Sequence, residues 1–309
     1  MQNPKRPEYF GANFSVKINT LKISGVFLLL LVCFCISMAM NTYAQLAASN
    51  TSGNKPLRLG LLPHLNTQVT IEKYTPLINY LQTELQRQVI FTTAPDFKTY
   101  IQRAENDDFD LYLTAPNIAA YHEKHDKHLR VAKFTEKLQG VIVVAEDSPY
   151  HSLDDLEGKT MATPDIMAVI TSLGEVTLLE NGIVPGKDIQ IMYTDSHNKS
   201  LQSVVTNKAD AAVVGYPSYK IITTRTKLRK PVRILIETKK IPHLMFMSPP
   251  GVSLQERELF KSALKKFSSS DAGGTFFSGL PFKGISTISD ADMMSLKELL
   301  KLLEQRLKK

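Results

Sequence analysis

The chain has 309 residues, with 37 Lys and Arg against 30 Asp and Glu, and two cysteines. Cys33 and Cys35 both fall inside one apolar run near the start, which leaves the rest of the chain without disulfides, cysteine metal ligands or a cysteine nucleophile. Four basic residues and one Glu precede residue 45, so the formal charge of +7 drops to +4 for the remainder, and its scattered basic residues form no stripe of the kind that binds nucleic acid.

The first element is a leader. Lys5, Arg6, Lys17 and Lys22 precede an uncharged apolar run from Ile23 to about Met40, and a short polar segment ends in Thr42-Tyr43-Ala44. A basic start, an apolar middle and a small terminal residue mark a secretory signal peptide. Cleavage is expected after Ala44, with residues 1–44 removed. The alternative is an uncleaved membrane anchor, because the run is near bilayer-spanning length. Leu31-Val32 ahead of Cys33 lacks the small residues that lipidation needs. Asn50 to Asn54 reads as a flexible lead-in.

Short apolar runs then alternate with helical spacing. Leu57–Leu62 reads as a strand ending at Pro63, and 69–86 as a helix on Val69, Tyr74, Leu77, Ile78, Leu81 and Leu85. Strands at 88–93, 110–113 and 141–144 alternate with helices at 97–106 and to about Lys124. Ser152 and Asp155 look like a capping box on a short helix closed by Gly158. Next come strands at 159–162, 189–193 and 211–214, with helices at 167–180 and 198–207 between them. Strands at 232–236 and 244–247 lead to a helix opened by Ser253 and Glu256, a Gly-rich loop from Asp271 to Gly284, and a last helix over roughly 290–306. This alternation predicts an α/β fold with largely parallel sheets.

Several short motifs in order resemble the phosphate/phosphite/phosphonate family of ABC-transporter periplasmic substrate-binding proteins. They are Leu59-Gly60-Leu61-Leu62-Pro63, the run Tyr74-Thr75-Pro76-Leu77-Ile78-Asn79-Tyr80-Leu81, Asp96-Phe97, Phe109-Asp110-Leu111 and Ala115-Pro116. Ser152-Leu153, Asp155-Leu156 and Gly158-Lys159 follow, then Ser196-His197 and Lys208-Ala209-Asp210-Ala211-Ala212. The resemblance implies a class II periplasmic-binding-protein fold, with two α/β lobes and a ligand cleft between them. Residues 45–144 would begin the first lobe, 145–230 would form the second, and 231–309 would return to the first. Hinge strands are expected near Val144 and near 220–236.

The family's ligand-contacting pattern is mostly replaced. Where relatives carry a Ser-Thr-Ser-Gly turn, this chain has Ala168-Val169-Ile170-Thr171, and Phe97 stands where a Tyr is usual. A second family Tyr falls near Leu138 or Gln139 and an acidic position near Gly215, while His197 is kept. The expected ligand-contacting residues are His64, Phe97, Ala115, Asn117, Asp165, Met167, Thr171, His197 and Tyr216, a mixed wall suited to a small organic ligand. His122 and His125, three apart, lack the zinc-protease pattern and read as a solvated helix end. No nucleophile elbow or phosphate-cradling glycine loop is present, so neither catalysis nor a cofactor is expected. The resemblance implies delivery of a small molecule to an ABC permease, and the cleaved leader with a cysteine-free remainder leads to the expectation of a soluble monomer. The alternative is a sensory subunit presenting ligand state to a membrane signalling protein such as a histidine kinase.

Overall fold

The structure, a computed structural model, describes residues 55–64, 67–225, 228–278 and 283–308. The expected leader, its cleavage site and the lead-in segment lie outside the described residues. Among those described, no helix is long and apolar enough to cross a membrane.

The first lobe opens with β1 (Leu57–Leu61), α1 (Thr67–Leu85), β2 (Val89–Thr92), α2 (Phe97–Glu105), β3 (Leu111–Thr114) and α3 (Pro116–His125). Next come β4 (Leu129–Phe134) and β5 (Lys137–Leu138). The second lobe holds β6 (Gly140–Ala145), β7 (Thr160–Thr163), α4 (Val169–Glu180), β8 (Gln190–Tyr193), α5 (His197–Val205), β9 (Ala211–Gly215), α6 (Tyr216–Arg225) and β10 (Val232–Glu237). The chain then returns through β11 (Ile241–Pro242), β12 (Met245–Ser248), α7 (Leu254–Ser268), α8 (Asp271–Ser278), β13 (Ile285–Ser286), α9 (Asp290–Met294) and α10 (Lys297–Leu307).

Each lobe is built on one sheet. The first has strand order β13-β4-β12-β3-β1-β2 and the second β10-β6-β9-β7-β8. In the first, β1, β2 and β3 are parallel while β12 runs against β3 and β4. In the second, β7, β8 and β9 are parallel while β6 and β10 are antiparallel. The sheets are therefore mixed rather than largely parallel. The antiparallel strands are the ones that carry the chain between lobes.

The crossings are short and sit side by side. β5 pairs with β11, and beyond it the Gly140 N–H donates to Thr238 Oγ1 at 2.9 Å while the Thr238 N–H donates to the Gly140 carbonyl at 3.0 Å. Because β6 and β10 both pair in the second sheet, the chain changes lobe before Gly140 and after Glu237. The expected boundaries at 144/145 and 230/231 each cut off a strand of the second lobe. An apolar run such as Val141–Val144 does not declare which sheet it joins.

Other differences have local causes. β4 was not expected, because its alternation follows directly on the charged run that ends α3. The expected Gly-rich loop is largely α8, whose Phe276 and Phe277 pack among Tyr74, Phe134 and Phe267. Tertiary packing there outweighs the low helix propensity of Gly273 and Gly274. A Cβ at Gly273 would stand 1.9 Å from the Phe267 carbonyl oxygen, so only glycine permits this approach. At 152–155 half of the expected capping box is present, since the Asp155 carboxylate reaches back to accept from the Ser152 N–H, and from that of His151, ahead of a single 3-10 turn.

Glycine also sets the packing beneath the first lobe's cleft edge. A Cβ on Gly60 in β1 would come within 2.7 Å of the Phe109 ring and 2.8 Å of Tyr112 Cβ. Beyond that close contact, β1 runs into Pro63-His64.

Candidate functional site

The C-terminal ends of strands from both lobes converge on one cavity of about 210 Å³. His64 follows β1, Phe97 follows β2 and Ala115 follows β3, while Pro164 and Asp165 follow β7 and Asp195 to His197 follow β8. Gly215, Pro217 and Ser218 follow β9, and His243 and Leu244 join β11 to β12. Leu138 and Gln139 bring the crossing itself to the wall. Open α/β sheets place their ligands at such strand ends, where helices begin.

Of the nine expected residues, His64, Phe97, Ala115, Asp165 and His197 line this cavity. The other four lie behind or beside it. Thr171 is fully buried, and its hydroxyl donates to the Asp165 carbonyl at 2.9 Å beside the Thr163 hydroxyl at 2.6 Å. Asn117 is fully buried and donates from Nδ2 to the Met167 carbonyl across the lobes at 3.3 Å, while its Oδ1 has no partner among the described residues. Met167 takes part through that carbonyl and through its N–H, which donates to Asp165 Oδ1 at 2.7 Å. Tyr216 opens α6, with Lys220 Nζ 5.5 Å from its ring centre. Lys73, Ile221 and His243 were not expected at the site, whereas Gln139 stands where the resemblance put a family Tyr. His243 sits between two short strands, a place no local pattern marks.

Polar charge in the lining is sparse. Among the described residues, Lys73, Asp165 and Asp195 are the lining's only acidic or basic side chains besides histidine, and Asp195 is ion-paired with Lys199. Beside Tyr74, Gln139, Ser196 and Ser218 the lining holds three imidazoles, His64, His197 and His243, each held near pKa 4 and therefore neutral at pH 7. Burial is the main cause in all three. At His64 the Leu62 carbonyl opposes it and Lys73 reinforces it, while His64 in turn lowers both of the others.

Two helices open at the wall without a side-chain cap. The N-cap of α3 is Ala115 and that of α4 is Ala168, and neither supplies a hydrogen-bond acceptor to its first turn. By contrast, Asp96 caps α2 by accepting from the Thr99 N–H, and Ser196 caps α5 by accepting from the Lys199 N–H. Where relatives were expected to offer hydroxyls, α4 offers Ala168, Val169 and Ile170.

Polar links join the lobes around the cavity. On α10, Arg306 donates to Ser172 Oγ at 2.7 Å and is paired with Glu175 on α4, the two charged side chains being 8% and 9% exposed. Lys239, next to the crossing, reaches both Glu180 of α4 and Glu298 of α10.

The His122 segment is not a solvated helix end throughout. His122 is fully buried, donates from its Nδ1–H to the Asp126 carboxylate at 2.8 Å, and stacks on His128 with ring centres 5.1 Å apart. His125 is exposed and meets Glu304 of α10. Among the described residues no group of His, Cys, Asp and Glu is arranged to hold a metal ion.

Solved structures of the same architecture include PhnD1 from Prochlorococcus marinus in complex with methylphosphonate, at TM-score 0.72 and 13% identity over 81% of this chain and 99% of that one. XAC2383 from Xanthomonas citri bound to ATP matches at TM-score 0.68 and 18% identity, over 82% of this chain and 98% of that one. The binding-protein component of an ABC phosphonate transporter from Pseudomonas aeruginosa, PA3383, matches at 0.69 and 15%, over 82% and 87%. The model of one sequence family, the ABC-transporter phosphonate periplasmic substrate-binding proteins, matches residues 59–293. With two lobes, crossings at Gly140 and Thr238 and a cavity between the strand ends, this chain belongs to that family of transporter substrate-binding proteins.

Proposed function

We propose that the chain is exported to the periplasm, loses its leader near Ala44, and acts as a monomeric, non-catalytic receptor. It captures a small, weakly polar organic ligand between its lobes and presents it to an ABC permease. The family assignment favours this role over the sensory alternative.

The ligand reading rests on the lining. A phosphonate dianion enclosed in a cleft needs several charge-assisted hydrogen bonds, each worth about 1.5–3 kcal/mol. Here the first turn of α4 brings aliphatic side chains, the imidazoles are neutral, and one Lys stands against two Asp. Burial of apolar surface, at about 25 cal/mol per Å², is then the larger source of affinity. Proteins of this architecture bound to methylphosphonate and to ATP illustrate how the lining, rather than the fold, selects the ligand. Two-lobed receptors of this kind close on ligand by hinge motion, and the paired crossings at Gly140 and Thr238 supply a short hinge.

A thermal-shift screen of small organic compounds on the mature protein tests this reading, with Ile221→Arg as the companion variant. Ile221 is exposed at 43% and lines the cavity, so an Arg there blocks the mouth without entering the core. Hits on the parent that vanish in the variant are expected. Hits that survive it place the ligand elsewhere. The intact mass of periplasmic material, expected to begin at about Gln45, tests export and cleavage.

A further inference from the structure

Two imidazoles in the interlobe cavity have their protons placed by the backbone. His64 Nδ1 lies 3.0 Å from the Leu62 carbonyl oxygen. A carbonyl only accepts, so in the neutral ring Nδ1 carries the proton and Nε2 presents a lone pair. On the other lobe the Gly215 N–H donates to His197 Nδ1 at 3.3 Å. There Nδ1 is the bare nitrogen and Nε2 carries the proton. Neither Nε2 has a hydrogen-bond partner among the described residues. The pair therefore offers one acceptor from the first lobe and one donor from the second.

We propose that the cavity selects an uncharged ligand that donates and accepts from neighbouring atoms, as a lactam or amide does, with His64 Nε2 accepting and His197 Nε2–H donating. This rests on the interlobe cavity being the ligand site. An oxyanion that only accepts can engage His197 but meets a lone pair at His64. A site built around a donor–acceptor pair rejects partners that leave one member unmatched, because the unmatched buried group loses its water for nothing in return.

The charged and titratable groups around the pair support the same class. Lys73 of α1 faces His64, Asp165 and Asp195 lie on the second lobe, and His243 has its Nδ1 occupied by the Leu244 N–H at 2.8 Å. One ammonium against two carboxylates does not favour a dianion. Burial keeps both rings of the pair neutral at pH 7, so the two tautomers persist there.

Long-range proton–nitrogen NMR correlation of the imidazole rings tests the assignment on the mature protein at neutral pH. Spectra are recorded alone and with uracil, its doubly N-methylated derivative, or methylphosphonate. The expected result is opposite neutral tautomers, Nδ1–H at His64 and Nε2–H at His197. Millimolar uracil shifts both Nε2 resonances, whereas the methylated compound, which has carbonyls but no N–H, and methylphosphonate leave His64 Nε2 unmoved. An Nε2–H tautomer at His64, an imidazolium at either position, silence towards uracil, or a response of both rings to methylphosphonate overturns the proposal. Those failures remove the ligand class only. The cavity itself fails as the ligand site if hits from the organic screen survive Ile221→Arg.

Discussion

Lowering the pH from 7 to 5 removes stability through four histidines held near pKa 4: His64, His128, His197 and His243. Each has its folded pKa below the unfolded value of 6.5. The unfolded chain therefore takes up protons first, and the stability present above pH 6.5 is lost as pH falls towards 4. At pH 5 an enclosed group of this kind forfeits about 2 kcal/mol, from roughly 1.4 kcal/mol per tenfold difference in proton affinity. His128 and His243 are 2% and 7% exposed and count in full. His64 and His197 keep solvent contact through the cavity mouth, so screening reduces them to about half. The sum is about 6 kcal/mol, a large part of the 5–15 kcal/mol typical of a folded protein. Carboxylates with depressed pKa, such as Asp110 and Asp126, titrate below this window and do not contribute to it. Urea unfolding at pH 7 and pH 5 measures the difference, and His243→Gln is expected to lessen it by about 2 kcal/mol. A stability that stays level between the two pH values refutes the claim that these imidazoles are buried and neutral.

Two further substitutions test the packing. Arg306→Met leaves Glu175 buried without its partner and is expected to destabilise by about 3–5 kcal/mol, read as a lower thermal midpoint. Adding Glu175→Met should restore most of that loss. Burial raises the Glu175 pKa even with Arg306 beside it, so its ionised form works against folding as pH rises through the carboxylate range. An unchanged midpoint in the single variant contradicts the buried interlobe pair. Gly60→Ala forces a Cβ to within 2.7 Å of the Phe109 ring and should cost about 1–3 kcal/mol in urea unfolding, whereas a neutral result means that β1 and Phe109 are not in contact.

Much of the fold was legible because local signals agreed with the tertiary result. Leu57–Leu61 forms the strand its apolar run implies, and the Ser253 side chain accepts from the Glu256 N–H as the helix start at 253–256 implies. The exceptions are elements whose identity depends on distant partners. α8 survives two glycines through Phe276 and Phe277, and β6 is assigned to its lobe by pairing with β9 and β10. At the site, His64 and His197 were readable because loops that follow strands in an α/β sheet lead to the cleft. Asn117 and Thr171 occupy such loops or helix starts too, yet point into packed interior, Asn117 through a contact across the lobes to the Met167 carbonyl and Thr171 through contacts to Asp165 and Thr163 within the second lobe. His243 enters the cavity from the return segment, where neither spacing nor motif gives its position.

Calorimetry of the mature protein with methylphosphonate, phosphite, phosphate and 2-aminoethylphosphonate tests the central claim, a cavity turned from oxyanions towards weakly polar ligands. Three missing charge-assisted hydrogen bonds remove about 4–9 kcal/mol. At about 1.4 kcal/mol per decade, a loss near the middle of that range takes a nanomolar site to a dissociation constant of about 100 µM. All four anions are expected to bind no more tightly than this. Submicromolar binding of any one of them would contradict the account, showing that the open N-terminus of α4 or the Lys73 ammonium holds an oxyanion unaided by the missing hydroxyls.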